Sequence, residues 1–85
     1  MQELIKYKQC VGRLRRGDAF CVMGALCDLS GLGHWAGDAY SVDGGLWASS
    51  LPPQVAKHYA LTPERISELI RMNDEGHSFE EIAKL

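Results

Sequence analysis

Read from the N-terminus, the first apolar positions are Leu4, Ile5 and Tyr7, which fit either a short helical turn or an extended lead-in over residues 2–9. Gly12 and Gly17 then interrupt any long helix, since glycine costs about 1 kcal/mol relative to alanine in a helix interior. From Phe20 onward, Phe20, Val22, Met23, Ala25, Leu26 and Leu29 leave almost no polar stripe. That pattern predicts a helix over residues 19–29 buried on most faces, with Asp18 as its N-cap. Gly24 in its middle marks a place where another backbone comes close.

Residues 30–50 are rich in glycine and small side chains. Within them the run from Tyr40 to Trp47 predicts a hairpin turning at Asp43 and Gly44, or at Gly44 and Gly45. A two-stranded hairpin is marginal alone, and Trp35, Tyr40 and Trp47 are the side chains able to pack it on the helices. Pro52 and Pro53 open a short helix through residue 60. Thr62 caps a second helix that starts at Pro63 and runs to about Asn73, with Ile66, Leu69 and Ile70 on one face. Gly76 suits the left-handed position after it. Ser78 and Glu81 form a capping box ahead of a last helix carrying Ile82, Ala83 and Leu85.

The pattern predicts an α+β fold that is mostly α: a buried central helix, a short β-hairpin and a C-terminal helical hairpin. At 85 residues it is one compact domain spanning residues 1–85, and a chain of this length buries only about 60% of its unfolded surface. No apolar run approaches the ~20 residues of a membrane span, and the first residues lack a signal-peptide layout. Three cysteines, an odd number, argue against a secreted disulfide framework and for reduced thiols in a cytoplasm.

The net charge of −2 hides a segregation. Residues 1–17 hold Lys6, Lys8, Arg13, Arg15 and Arg16 against Glu3, whereas Asp74, Glu75, Glu80 and Glu81 gather near the end. Charge of this kind speaks to partners and not to fold. The basic segment, with Tyr7 interleaved and Asp18 able to orient an arginine, is a candidate anion site. Arg15 and Asp18 as a structural pair pinning the loop is the competing reading. Trp35, Tyr40 and Trp47 offer stacking faces for a base, or complete a small core.

Other chemistry finds less support. Cys21 and Cys27 lie about 240° apart on one helix, so they cannot share a metal ion, even with Cys10 and His34 added; buried cysteine as a small hydrophobe fits better. No metal or cofactor is expected. A cysteine nucleophile would need His34, His58 or His77 as its base, and no catalytic motif is present. The segment from Ser78 to Ala83 is similar to the first helix of a helix-turn-helix, but no recognition helix follows it in this sequence.

Several of these pieces fall in a known order: Tyr7-Lys8-Gln9, Gly12, Leu14-Arg15, Phe20-Cys21, Gly24, Leu26-Cys27-Asp28-Leu29, Trp35, Leu51-Pro52, Val55, Met72-Asn73-Asp74, Gly76 and Ser78-Phe79. Over nearly the whole chain this resembles a group of small uncharacterised proteins common in bacteriophages and prophages. Two departures stand out: that group has a longer helix before Tyr7, and it carries a second cysteine where this chain has Val22. The adjacent pair is therefore dispensable here. The resemblance implies a phage-linked accessory protein. The expected function is non-enzymatic binding that counters a host defence system in the bacterial cytoplasm, by sequestering a small nucleotide signal or blocking a defence protein. A small nucleic-acid-binding regulator using residues 6–16 is the alternative. A homo-oligomer is left open by the odd cysteine and by Trp35 and Trp47.

Overall fold

The computed structural model describes residues 2–84. A 3-10 helix at Gln2–Lys6 leads into β1 (Lys8–Gln9). A glycine-rich excursion returns as β2 (Arg15–Arg16) and β3 (Ala19–Phe20), giving a small mixed sheet of order β1-β3-β2. β3 runs parallel to β1, with Gln9 opposite Phe20, and antiparallel to β2.

The central helix α1 is Val22–Ser30, three residues shorter at its start than the apolar pattern predicts. Ala19 and Phe20 are strand, and the N-cap is Cys21, whose sulfur accepts from the Gly24 N–H at 3.4 Å. Asp18 does not cap the helix; it sits beyond the turn at Gly17 and pairs with Lys8. The expected burial holds, since every residue from Val22 to Cys27 is buried. Gly24 is needed for the reason its position suggests: a Cβ there would stand 1.7 Å from the Leu14 carbonyl oxygen.

A second sheet follows: β4 (His34–Ala36), β5 (Ala39–Val42) and β6 (Gly45–Trp47), antiparallel in that order. The predicted hairpin is β5–β6, and β4 extends it. Its turn is at Asp43 and Gly44, whose positive φ values of 51° and 82° are those of a type I′ turn. Trp35, Tyr40 and Trp47 lie opposite one another in register and share the face packed on the core. His34, Ser41 and Leu46 share the other face.

The last third has the expected punctuation. α2 (Pro53–His58) starts after Pro52, and α3 (Pro63–Asp74) starts under the Thr62 cap. Gly76 takes φ 93°, and the Ser78–Glu81 capping box opens α4 (Phe79–Ile82), which packs back on α3. Leu85, expected to pack in the last helix, lies outside the described residues.

One buried polar side chain joins these parts. Asn73, 1% exposed, lies near the end of α3. Its Oδ1 accepts from the Val22 N–H at 3.2 Å and from Gln9 Nε2 at 3.0 Å, and its Nδ2 donates to the Cys10 carbonyl at 2.9 Å. The Cys10 N–H donates to the Phe20 carbonyl, so the next parallel rung would run from the Val22 N–H to the Cys10 carbonyl. The Asn73 carboxamide stands between those two groups and replaces that rung. Gln9 completes the network, donating to the His77 carbonyl at 2.6 Å and accepting from the Phe79 N–H at 3.0 Å.

Two stability outcomes follow from this packing. Asn73→Ala strands a buried donor and a buried acceptor at about 1–3 kcal/mol each, so urea unfolding should show a loss of about 3 kcal/mol; a loss comparable to an exposed alanine substitution would contradict the network. Gly24→Ala should destabilise the chain although alanine is the better helix former by about 1 kcal/mol, because the Cβ has no room against Leu14.

Candidate functional site

The basic segment divides into cations used by the fold and cations left over. Arg15 turns inward: its Nε donates to the Gly17 carbonyl at 2.7 Å and its Nη1 to the Gly37 carbonyl at 3.4 Å. Its guanidinium lies over the rings of Phe20 and Trp35, 5.6 and 5.5 Å from their centroids, where cation–π attraction holds it. Lys8 pairs with Asp18 at 3.1 Å, both well exposed; a pair of this kind contributes little to stability. The Arg15–Asp18 structural pair therefore does not form. Arg15 is structural with backbone and aromatic partners, and the partner of Asp18 is Lys8.

The aromatic candidates form a wall. Tyr7, Phe20, Trp35 and Tyr40 meet edge to face in sequence, with centroids 4.9 to 5.4 Å apart. Asp28 fixes its outer end, accepting from the Tyr7 hydroxyl at 2.6 Å and from Trp35 Nε1 at 3.0 Å. Partial burial and the Asp28 carboxylate hold the Tyr7 phenol well above its ordinary pKa. Tyr40 is 1% exposed and its hydroxyl accepts from the Gly33 N–H, so its ring offers no face to a ligand. Trp47 is half-buried, and its Nε1 has no partner among the described residues.

Of the basic set there remain Lys6, exposed on the 3-10 helix, and the two arginines Arg13 and Arg16. Neither arginine has an ion-pair partner among the described residues. Arg16 extends along Gly12, with Nη2 4.0 Å from where a Cβ on that glycine would stand. Arg13 lines a cleft of about 110 Å³ with Gly12. Its other lining residues are Cys21, Val22 and Met23 at the start of α1, Ser49, and Ile70, Asn73 and Asp74 of α3. The start of α1, the positive end of its macrodipole, and the end of α3, the negative end of its own, thus line one cleft. Asp74 also lacks an ion-pair partner among the described residues.

The cysteines are poor nucleophiles in this setting. Burial pushes the Cys21 thiol up, although the N–H groups of Gly24 and Met23 pull against it. Burial likewise raises Cys10, with Arg16 opposing, and pushes Cys27 up to about 12. The histidines are placed elsewhere: His77 lies between Glu75 and Glu81 at 3.8 and 3.7 Å, His58 meets Tyr59 edge on, and His34 is exposed on β4.

A second, shallower groove of about 330 Å³ lies between the β5–β6 turn and α2, lined by Leu32, Val42, Asp43, Gln54, Lys57 and His58. It contains none of the nine candidate binding residues, and His58, a candidate base for a cysteine nucleophile, lines it away from all three cysteines. Of the nine candidate site residues, the fold brings Arg13 to the main cleft with Arg16 at its lip. Tyr7, Arg15, Trp35 and Tyr40 belong to the aromatic wall, Lys8 and Asp18 to a surface pair, and Trp47 to the core-facing side of β6. Asp74 and Ser49 were missed. The one signal for Asp74 is its place in the last turn of a helix, where the macrodipole disfavours a carboxylate.

The thiol environments give a direct check. Cys10 is the most exposed of the three, so iodoacetamide at pH 8 should label it first, with Cys21 and Cys27 modified only as the chain unfolds; equal labelling rates would contradict the assigned burial. Comparison with known proteins brings no assignment, since no family model, no curated protein and no solved structure matches this chain.

Proposed function

We propose that this chain is a non-enzymatic binding protein that takes a small anionic ligand of the nucleotide class at the cleft beside Gly12 and Arg13. In the phage setting implied by its sequence resemblance, it acts against a host defence system by sequestering a nucleotide signal. The observation that carries the reading is that Arg13, without an ion-pair partner among the described residues, lines a cleft at the positive end of α1, and that Arg16, likewise without one, lies against Gly12 of the same cleft. Guanidinium groups bind phosphate oxygens through two parallel N–H donors, and Gly12 leaves space for an anion near the backbone. Binding is favoured over catalysis because burial pushes up the thiol of Cys21, which lines the cleft.

The nucleic-acid alternative has less to work with. Of the cations in residues 6–16, Arg15 is withdrawn into the aromatic wall and Lys8 is paired with Asp18, which leaves Lys6, Arg13 and Arg16. What is left suits one phosphate group better than a duplex backbone.

A ligand that binds only the folded chain stabilises it by mass action, about 2.7 kcal/mol at a hundredfold excess over Kd. For a domain of this size that raises Tm by at least about 10 °C. Thermal unfolding against a panel of nucleoside mono- and polyphosphates should therefore show such a rise, abolished in the Arg13→Ala, Arg16→Ala double variant with its own Tm unchanged. A panel with no shift, together with duplex binding that weakens steeply as salt is added, would favour the nucleic-acid reading instead.

A further inference from the structure

We infer that Cys10 and Cys21 form a reversible disulfide in the folded chain, by exchange with a low-molecular-weight disulfide such as oxidised glutathione. The inference is independent of the nucleotide reading. Its first support is register. β1 and β3 run parallel, with Lys8 opposite Ala19 and Gln9 opposite Phe20. The Cys10 N–H donates to the Phe20 carbonyl at 2.9 Å, so the pairing continues past both strands and sets Cys10 opposite Cys21. Residues at one level on neighbouring strands stand about 4.8 Å apart and turn their side chains to the same face. A disulfide spans a Cα separation of roughly 4.4–6.8 Å, so the bond fits between them with the backbone where it is.

The second support is what the two cysteines touch. With β3 in the middle of the order β1-β3-β2, the connection over residues 10–14 has to pass the end of β3, where Cys21 stands. The Cys10 Sγ donates to the Arg13 carbonyl at 3.6 Å, inside that connection. The next residue, Leu14, accepts from the Cys21 N–H at 3.1 Å. Both cysteines are therefore held against the same two consecutive residues. The Cys21 Sγ accepts from the Gly24 N–H at 3.4 Å, which fixes the second sulfur at the head of α1. Cys27 is no rival partner for Cys21, because six residues along one helix place it about 240° round the axis.

Exposure sets the order of events. All three thiols are free; Cys10 is partly exposed, and Cys21 and Cys27 are buried. Cys10 loses its proton to solvent, and its thiolate attacks one sulfur of the glutathione disulfide. A mixed disulfide forms and one glutathione leaves. Cys21 in turn gives up its proton and attacks the Cys10 sulfur, which expels the second glutathione. Two protein thiols are oxidised and one glutathione disulfide is reduced to two thiols. Arg16 favours the Cys10 thiolate and the Gly24 N–H favours that of Cys21, against the burial that raises both. The ring closed by the bond runs over residues 10–21 and contains Gly12, Arg13 and Arg16, so oxidation constrains the loop that carries both arginines.

Incubation of the folded full chain with excess oxidised glutathione at pH 8, followed by intact mass and tandem peptide mapping without reductant, tests this. The expected product is a monomer lighter by two hydrogens, with Cys10 joined to Cys21 and Cys27 free, and dithiothreitol should return it to the dithiol. Its Tm should stand about 10 °C above that of the reduced chain, as closure of a loop of this length predicts. Cys27→Ala should give the same bond, and Cys10→Ser should give no intrachain bond. A persistent mixed disulfide at Cys10, a bond to Cys27, an interchain dimer or closure seen only in urea overturns the inference. So does a Tm no higher than that of the reduced chain. Each of these results means that the fold does not hold the two sulfurs in bonding geometry.

Discussion

The carboxamide of Asn73 is the constraint on which the rest of this structure depends. A parallel strand pair as short as β1–β3 needs something to end it, and a helix starting directly after a strand needs its first N–H groups satisfied. One side chain does both. It takes the Val22 N–H at the start of α1 and returns a donor to the Cys10 carbonyl at the end of β1. Unpaired, these buried backbone groups would be costly. Gln9 extends the arrangement to the His77 carbonyl and the Phe79 N–H, so β1, α1, α3 and α4 meet at one polar centre inside an otherwise apolar core.

That centre also determines what faces the solvent beside it. Asn73 and Asp74 are consecutive, and both line the cleft that Gly12 and Arg13 also line. The loop carrying Arg13 is held in turn by Leu14, whose N–H donates to the Ala48 carbonyl and whose carbonyl accepts from the Cys21 N–H while crossing α1 over Gly24. Arg15 anchors the same loop to the aromatic wall. Alternate members of the basic segment therefore have different fates. Leu14 and Arg15 hold the loop, and Arg13 and Arg16 are left free to meet a ligand.

Much of this was legible in the sequence where the signal was local. Asp43 and Gly44 specify a type I′ turn by themselves, and the Thr62 cap with Pro63 and the Ser78–Glu81 box mark helix starts within four residues. Gly24 announced a close approach without revealing that Leu14 makes it. The misplaced start of α1 has a physical reason: Phe20 continues the apolar run, so hydrophobicity cannot separate the strand residues from the helix. A cysteine cap also gives no signal while an aspartate stands three residues earlier. The central network was beyond reach because Gln9 and Asn73 lie 64 positions apart, and a polar residue near a helix end reads as surface. The cleft was half visible, its arginines suggested by charge and its Asp74 submerged in a general acidic tail.

The proposed ligand site is the cleft lined by both Arg13 and Asp74. Amide proton–nitrogen correlation spectra recorded during titration with guanosine monophosphate test it most directly. Shifts should concentrate at Gly12, Arg13, Met23, Ser49 and Asp74, with the β4–β6 sheet and α2 unmoved. Shifts centred instead on Leu32, Asp43 and Lys57 would place binding in the other groove and contradict it.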